Sequence, residues 1–424
     1  MTATDTHRTI DAVWRIESAR LIAGLARMVR DVGLAEELAQ DALVIALEQW
    51  PQSGVPDNPG AWLMTTAKRR AIDRLRRSKL LERKHVELMH ELEAEQEQAG
   101  LKIEAALDDP IGDDLLRLMF TACHPVLPVE ARVALTLRLL GGLTTEEIAR
   151  AFLLPASTIA QRIVRAKRTL AKAEIPFEVP RADELAARLS SVLGVIYLVF
   201  NEGYSATAGD DWMRPTLCEE ALRLGRVLVG LMPRESEVHG LVALMEIQAS
   251  RSRSRVNSSG EPILLLEQNR AQWDRLLIRR GFVALDYAEK LGGALGPYTL
   301  QAAIAACHAH AVAAEDTDWG RIATLYGTLA QVAPSPIVEL NRAVAVAMAF
   351  GPEEAMELVD ALRDEPALAN YHLLPTVCGD LLAKLGRLDE ARAEFTRAAS
   401  LTQNAREREL LLRRVQTCNG STGS

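Results

Sequence analysis

Thr144-Thr145-Glu146-Glu147-Ile148-Ala149-Arg150-Ala151-Phe152-Leu153-Leu154-Pro155-Ala156-Ser157-Thr158-Ile159-Ala160-Gln161-Arg162-Ile163-Val164-Arg165-Ala166-Lys167-Arg168 reads as two short helices around a tight turn. Thr144 and Glu147 make a capping box, in which hydroxyl and carboxylate each satisfy an orphan amide of the first turn. Ile148 and Ala149 are spaced to pack on the second helix, Leu153-Leu154-Pro155 turns the chain, and Ile159 and Ile163 face back inward. That leaves Ser157, Thr158, Gln161, Arg162, Arg165 and Arg168 outward, at the N-terminal end and along one side of the second helix. This is the pattern of a helix-turn-helix, whose second helix fits a DNA major groove. Taken alone, the segment also reads as a helical hairpin with a solvated basic face.

About seventy residues upstream lies a second cationic element, Lys68-Arg69-Arg70-Ala71-Ile72-Asp73-Arg74-Leu75-Arg76-Arg77. Seven Lys or Arg side chains between Lys68 and Lys79, against one acid, repel one another unless a polyanion neutralises them. The plainer reading is a solvated charge run. Trp62 stands two turns before the cluster. Its indole either stacks on an unpaired base, a contact worth about 1 to 3 kcal/mol, or is simply core. Further upstream, apolar residues from Ile10 to Arg30 recur at helical spacing (Val13, Ile16, Ile22, Leu25, Val29), and Gly33 is expected to stop that helix. A following helix, Leu34 to Trp50, places Leu38, Ala42, Ile45 and Ala46 on one face and Glu36, Glu37, Gln40 and Asp41 off it. Pro51 and the loop from Gly54 to Gly60 are expected to end the unit.

The 424 residues suggest roughly two to four domains. Hydrophobic content of 48% with only 4% aromatic residues, rich in Ala and Leu, favours helices, so the chain is expected to be all-α. The net charge of -8 is unusual for a DNA binder, but the charges are segregated along the chain. Five scattered cysteines, never in a CxxC pair, give neither a disulfide framework nor a zinc pattern. Cys123-His124 and Cys307-His308-Ala309-His310 lack a second pair at zinc-finger spacing, so no metal and no cofactor are expected. No leader-like segment and no apolar run of membrane-spanning length is seen, so a cytoplasmic protein without a membrane partner is expected.

Residues 8–80 are read as the first domain. Residues 81–114 are acidic and read as a linker, either a solvated tether or a surface helix. Residues 115–174 hold the helix-turn-helix, and Ile175-Pro176-Phe177-Glu178-Val179-Pro180 breaks the helix. A helical extension occupies 181–297. In 298–415 Gly320, Ala355 and Ala391 each stand near the start of a second hairpin helix at a spacing near 35, close to the tetratricopeptide period, with a plain helical bundle as the alternative. Arg251-Ser252-Arg253-Ser254-Arg255 with Asn257-Ser258-Ser259-Gly260 reads as a flexible, exposed basic loop. Asn201-Glu202-Gly203-Tyr204 reads as a turn between helices, with small-ligand binding as the sharper alternative.

Ala35-Glu36-Glu37-Leu38-Ala39-Gln40-Asp41-Ala42 and Pro59-Gly60-Ala61-Trp62-Leu63 running into Ala71-Ile72-Asp73-Arg74-Leu75-Arg76-Arg77 resemble region 2 of the extracytoplasmic-function (ECF) sigma factors, a branch of the sigma-70 family. Gly142-Leu143-Thr144-Thr145-Glu146-Glu147-Ile148-Ala149, with Thr158 and Arg162, resembles their region 4. The resemblance covers residues 10 to about 173. It implies two small helical sigma domains, with RNA polymerase core and promoter DNA as partners. Glu36, Glu37, Gln40 and Asp41 would dock polymerase. Trp62, Lys68, Arg69, Arg70, Arg74, Arg76 and Arg77 would engage and open the -10 element. Thr144, Ser157, Thr158, Gln161, Arg162, Arg165 and Arg168 would bind the -35 element. Arg69 stands where the family often has Asn, and Leu153 replaces a frequent Gly in the turn. Phe200-Asn201-Glu202-Gly203-Tyr204, Gly296-Pro297-Tyr298, Ala314-Glu315-Asp316-Thr317-Asp318-Trp319 and Pro334-Ser335-Pro336-Ile337-Val338-Glu339-Leu340-Asn341-Arg342-Ala343 resemble a subgroup with a long tetratricopeptide-like extension that regulates the factor in cis. Such an extension implies a protein or peptide partner for the repeats. The rival readings are a helix-turn-helix regulator acting without polymerase and an enzyme with a DNA-targeting module. Residues 181–424 contain no nucleophile-base pair, phosphate loop or metal pattern, so no enzymatic activity is expected.

Overall fold

The computed structural model describes residues 3–86, 111–152, 154–206, 208–209, 211–257 and 261–420. Most of the acidic linker, Leu153 in the turn and Ser258 to Gly260 therefore lie outside the described residues. Two compact units are formed, residues 1–196 and 197–424.

The first unit opens with α1 (Ala3–Val29), α2 (Val32–Ser53) and α3 (Pro59–Val86). Their core holds Ile10, Ile22, Leu25, Leu38, Trp50 and Leu63, all buried, whereas Ile16 points to solvent. Gly33 does not break the chain between α1 and α2. The break is Arg30, in the left-handed region at φ 54°, followed by Asp31, whose carboxylate accepts from Leu34 N at 2.9 Å and caps α2. Pro51 is carried within the last turn of α2, and Gly54 at φ 85° ends the helix. Then come α4 (Ile111–Ala122), α5 (Val129–Leu139), α6 (Thr145–Ala151) and α7 (Ala156–Lys172). Asp114, which the sequence assigns to the linker, is buried between Arg27 (3.3 Å) and Arg117 (2.8 Å). The chain turns at Ile175 to Pro180, as its two prolines require, and the unit continues into α8 (Ala182–Tyr204). There Arg188 donates to Phe120 O (2.9 Å), while Ser191 accepts from Arg132 (2.5 Å) and donates to Cys123 O (2.6 Å).

The second unit contains α9 (Pro215–Leu231), α10 (Ser236–Ala249), α11 (Arg275–Lys290) and α12 (Pro297–His310). It continues through α13 (Trp319–Val332), α14 (Pro336–Ala349), α15 (Pro352–Asp360), α16 (Leu373–Lys384), α17 (Leu388–Leu401) and α18 (Ala405–Gly420). α12/α13, α14/α15 and α16/α17 are successive helical hairpins, each packed on the next. Ala355 and Ala391 are fully buried where the paired helices approach. A side chain at Gly320 would meet only the Asp318 carboxylate at 3.7 Å, so that copy lacks the close crossing. Gly296 is required where it stands. Glu237 lies against it and accepts from Tyr298 N (2.8 Å), Thr299 N (3.1 Å) and Thr299 Oγ1 (2.8 Å), and a Cβ would fall 2.0 Å from the carboxylate. A short parallel ladder pairs β1 (Ala208–Gly209) with β2 (Gln403–Asn404). Among the described residues no helix is long and apolar enough to cross a membrane.

Candidate nucleic-acid interface

α3 presents Arg69, Arg70, Arg74 and Arg76 to solvent, but Lys68 is half-buried. Burial, and then the charge of Arg27, pull the Lys68 ammonium below its ordinary value. The Arg77 side chain lies outside the described residues. Trp62 is neither free nor fully core. It packs edge-on against Trp50, with centroids 5.3 Å apart and planes at 68°, and keeps part of its ring exposed.

The helix-turn-helix forms as the local chemistry dictates. Thr144 Oγ1 accepts from Glu147 N (3.1 Å), and Thr144 N donates to Glu147 Oε2 (2.8 Å), so both halves of the capping box are made. Serving as acceptor there, the Thr144 hydroxyl still has its proton to donate outward. Glu147 also receives Arg15 of α1 at 2.9 Å. In α7, Ile159, Ile163, Ala166 and Leu170 are buried. Ser157, Gln161, Arg165 and Arg168 are exposed, and Thr158 and Arg162 partly so. Pro155 precedes α7 and no side chain among the described residues caps its first turn, so the positive end of this helix is open to an anion.

The acidic face of α2 departs from the sequence reading. Glu36 is only 3% exposed. Its Oε1 accepts from Arg138 Nε of α5 (2.7 Å) and Gln40 Nε2 (2.6 Å), and Oε2 faces Lys167 Nζ of α7. A carboxylate withdrawn from water needs such partners, and these come from the helix-turn-helix half of the unit. Glu36 therefore does not share an open surface with Glu37 and Asp41, and the partly exposed Gln40 is hydrogen-bonded to it. Those two acids face α3, pairing with Arg74 (3.4 Å) and Arg70 (3.0 Å). Their side chains are half-exposed, so both pairs are weak and exchangeable. Arg138 and Lys167 were not identified from sequence. The available signal was a lone cation inside Leu135-Thr136-Leu137-Arg138-Leu139, an apolar run that needed an acid somewhere.

The residues weighed as metal ligands have other surroundings. Cys123 Sγ meets Thr136 Oγ1 at 3.3 Å and its thiol is pushed up to about 11 by burial. His124 Nδ1 accepts from Val126 N, His310 stacks on Phe282, and His308 meets the edge of Trp319. No group of three or more His, Cys, Asp or Glu suited to a metal occurs among the described residues.

Residues 16–80 match the Sigma-70 region 2 family, residues 117–170 match Sigma-70, region 4, and residues 188–289 match a family of unknown function, DUF6596. An uncharacterized protein of Rhizobium meliloti (strain 1021) is 43% identical over 387 residues, which is 91% of this chain and 90% of that protein. The ECF RNA polymerase sigma factor SigK of Mycobacterium tuberculosis is 32% identical over 164 residues, covering 36% of this chain and 78% of SigK. The probable ECF RNA polymerase sigma factor SigI of the same species is 28% identical over 178 residues, covering 42% of this chain and 59% of SigI. With both sigma regions in order and a relative spanned over most of its length, the chain belongs to the ECF RNA polymerase sigma factors of the sigma-70 family.

Proposed function

We propose that this chain directs core polymerase to promoters with -35 and -10 elements. In this reading α7 enters the major groove of the -35 element through Ser157, Thr158, Gln161, Arg162, Arg165 and Arg168, with Thr144 on the backbone. α3 engages the -10 element through Arg69, Arg70, Arg74, Arg76 and Arg77, with Lys68 beside them, and Trp62 supplies the stacking surface for an unpaired base. The observation that carries this reading is the capped helix-turn-helix with an uncapped, cationic second helix, in one unit with a second arginine-rich helix. Sigma supplies binding and strand separation, with no bond chemistry of its own. The rival reading, a regulator acting without polymerase, leaves the region 2 helices without a role.

Two finer statements belong to the same proposal. The Glu36 clasp on Arg138 and Lys167 is the closed state of the free factor, and polymerase docking through Glu37 and Asp41 competes with it. The second unit regulates the first in cis, and its helical hairpins hold the protein or peptide that relays a signal. The test is transcription in vitro with purified core polymerase, followed by start-site mapping. A stoichiometric complex and a discrete start site downstream of a two-element promoter are expected. Absence of any complex with core polymerase refutes the reading.

A further inference from the structure

The stretch Arg251 to Arg255, expected from sequence to be an exposed loop, is folded inward in the second unit. Arg251 is 5% exposed and Arg255 7%, and Arg270 nearby is 5% exposed, while Arg253 between the first two faces solvent. None of the three buried arginines has a carboxylate within 4.0 Å among the described residues; Glu315 and Asp316, both exposed, act on Arg270 only through their more distant charge. Aromatic rings take their place. The Arg255 guanidinium lies 3.5 Å from the centroid of Tyr204, and Arg251 stands 5.9 Å from the same ring and 5.6 Å from that of Trp273, with Arg270 5.2 Å from the latter. Arg270 is held by its Nη atoms, which donate to His308 O (2.8 Å), Ala311 O (3.0 Å) and Thr317 Oγ1 (2.9 Å).

Stacking accounts for where the guanidinium planes lie, but it leaves one nitrogen of each without an acceptor among the described residues. Arg251 Nε, Arg255 Nη1, Arg270 Nε, Trp273 Nε1 and His308 Nδ1 are all buried without a hydrogen-bond partner among the described residues. The arginine and indole atoms are obligate donors. Burial first, and then the neighbouring Arg251, pull both Arg255 and Arg270 below the ordinary arginine value, against the smaller opposing pull of Tyr204 on Arg255 and of Glu315 and Asp316 on Arg270. Buried positive charge with an idle N–H on each guanidinium is the chemistry that recognises oxyanions.

We propose that Arg251 and Arg255, with Arg270 behind them, form a binding site for a compact dianion, a phosphoryl group or a dicarboxylate. The ligand's oxygens take the idle donors and its charge balances the cluster. The site lies wholly in the second unit, so the proposal does not depend on how the first unit meets DNA or polymerase.

The test uses the full chain in calorimetric titrations with inorganic phosphate and, separately, malonate, at an ionic strength held constant with chloride. One saturable site is expected for at least one anion, together with a rise in the melting temperature of the wild-type chain. The anion that binds more tightly identifies the ligand class. Arg255→Lys keeps the charge and removes the fork, and should weaken binding roughly tenfold or more. Arg255→Met should abolish binding, and Arg253→Met should bind as wild type. Circular dichroism identifies any variant that has lost its fold, and Arg251→Lys then serves as the second replacement. The proposal is overturned if neither anion binds saturably, if both lysine variants bind as wild type, or if Arg253→Met weakens binding equally.

Discussion

Replacing Glu36 by Gln separates two roles for the same residue. Its side chain is 4% exposed and its carboxylate faces two cations, Arg138 and Lys167, with side chains each about one-fifth exposed. Removing one partner from a fully buried ion pair costs about 3 to 5 kcal/mol. Here Arg138 and Lys167 can rehydrate, and Gln retains the hydrogen bond to Gln40, so the expected loss is nearer 2 kcal/mol. That corresponds to roughly a thirtyfold shift of the closed-to-open ratio. Energy transfer between dyes at Ser53→Cys and Lys172→Cys, two exposed sites on α2 and α7, would read the change. The native cysteines do not compete for label, since all five are buried. If the clasp holds the closed state, Glu36→Gln lowers the transfer efficiency and tightens apparent binding to core polymerase, because more of the factor is competent to bind. If Glu36 is instead a docking contact, the same substitution weakens polymerase binding. Unchanged transfer together with weaker binding would refute the clasp. Arg138→Met combined with Glu36→Gln should cost less than the sum of the single changes, by at least about 1 kcal/mol.

Arg162→Ala and Arg165→Ala should each reduce discrimination at the -35 element by about 1 to 3 kcal/mol per base-reading contact. Transcription from promoters mutated base by base checks this, and an unaltered preference refutes it. Thr144→Ala removes the acceptor for Glu147 N and should destabilise the helix-turn-helix by about 1 kcal/mol, seen as faster amide exchange in α6 with α12 unaffected. Burial, followed by the charges of Arg251 and Arg270, holds His308 down at about 3 against an ordinary 6.5. The unfolded chain therefore takes up this proton first. Stability from His308 is complete above pH 6.5 and is lost as the pH falls toward 3, by at most about 1.4 kcal/mol per pH unit. His308→Gln should flatten that part of the stability profile, and an identical slope would count against the assignment.

What was legible in the sequence was local. The capping box and the inward Ile159 and Ile163 each depend on residues within one or two turns of one another, the helical-hairpin period shows as small residues recurring about every 35 positions, and the all-α fold follows from the Ala- and Leu-rich composition. Where partners are distant, the residues read differently. Glu36 looks like one more surface acid beside Glu37, because Arg138 and Lys167 stand more than a hundred positions downstream. Arg251 and Arg255 look solvated because burying arginine without an acid runs against the usual rule, and nothing near them announces the rings of Tyr204 and Trp273. Asp31 outcompeted Gly33 as the helix boundary because a carboxylate that satisfies an amide fixes a helix start more firmly than a permissive glycine ends one.

The ladder between Ala208–Gly209 and Gln403–Asn404 has a consequence for how the chain is made. Asn404 Nδ2 also donates to Ala206 O and Asp211 O, 198 and 193 positions earlier. The helical hairpins between these ends assemble from nearby residues as they leave the ribosome, but this tie must wait for the last of them. At about 5 to 20 residues per second, the delay is on the order of ten to forty seconds. Throughout that interval the DNA-binding half is already out and free to fold, so every newly made molecule passes through a period with an untied second unit.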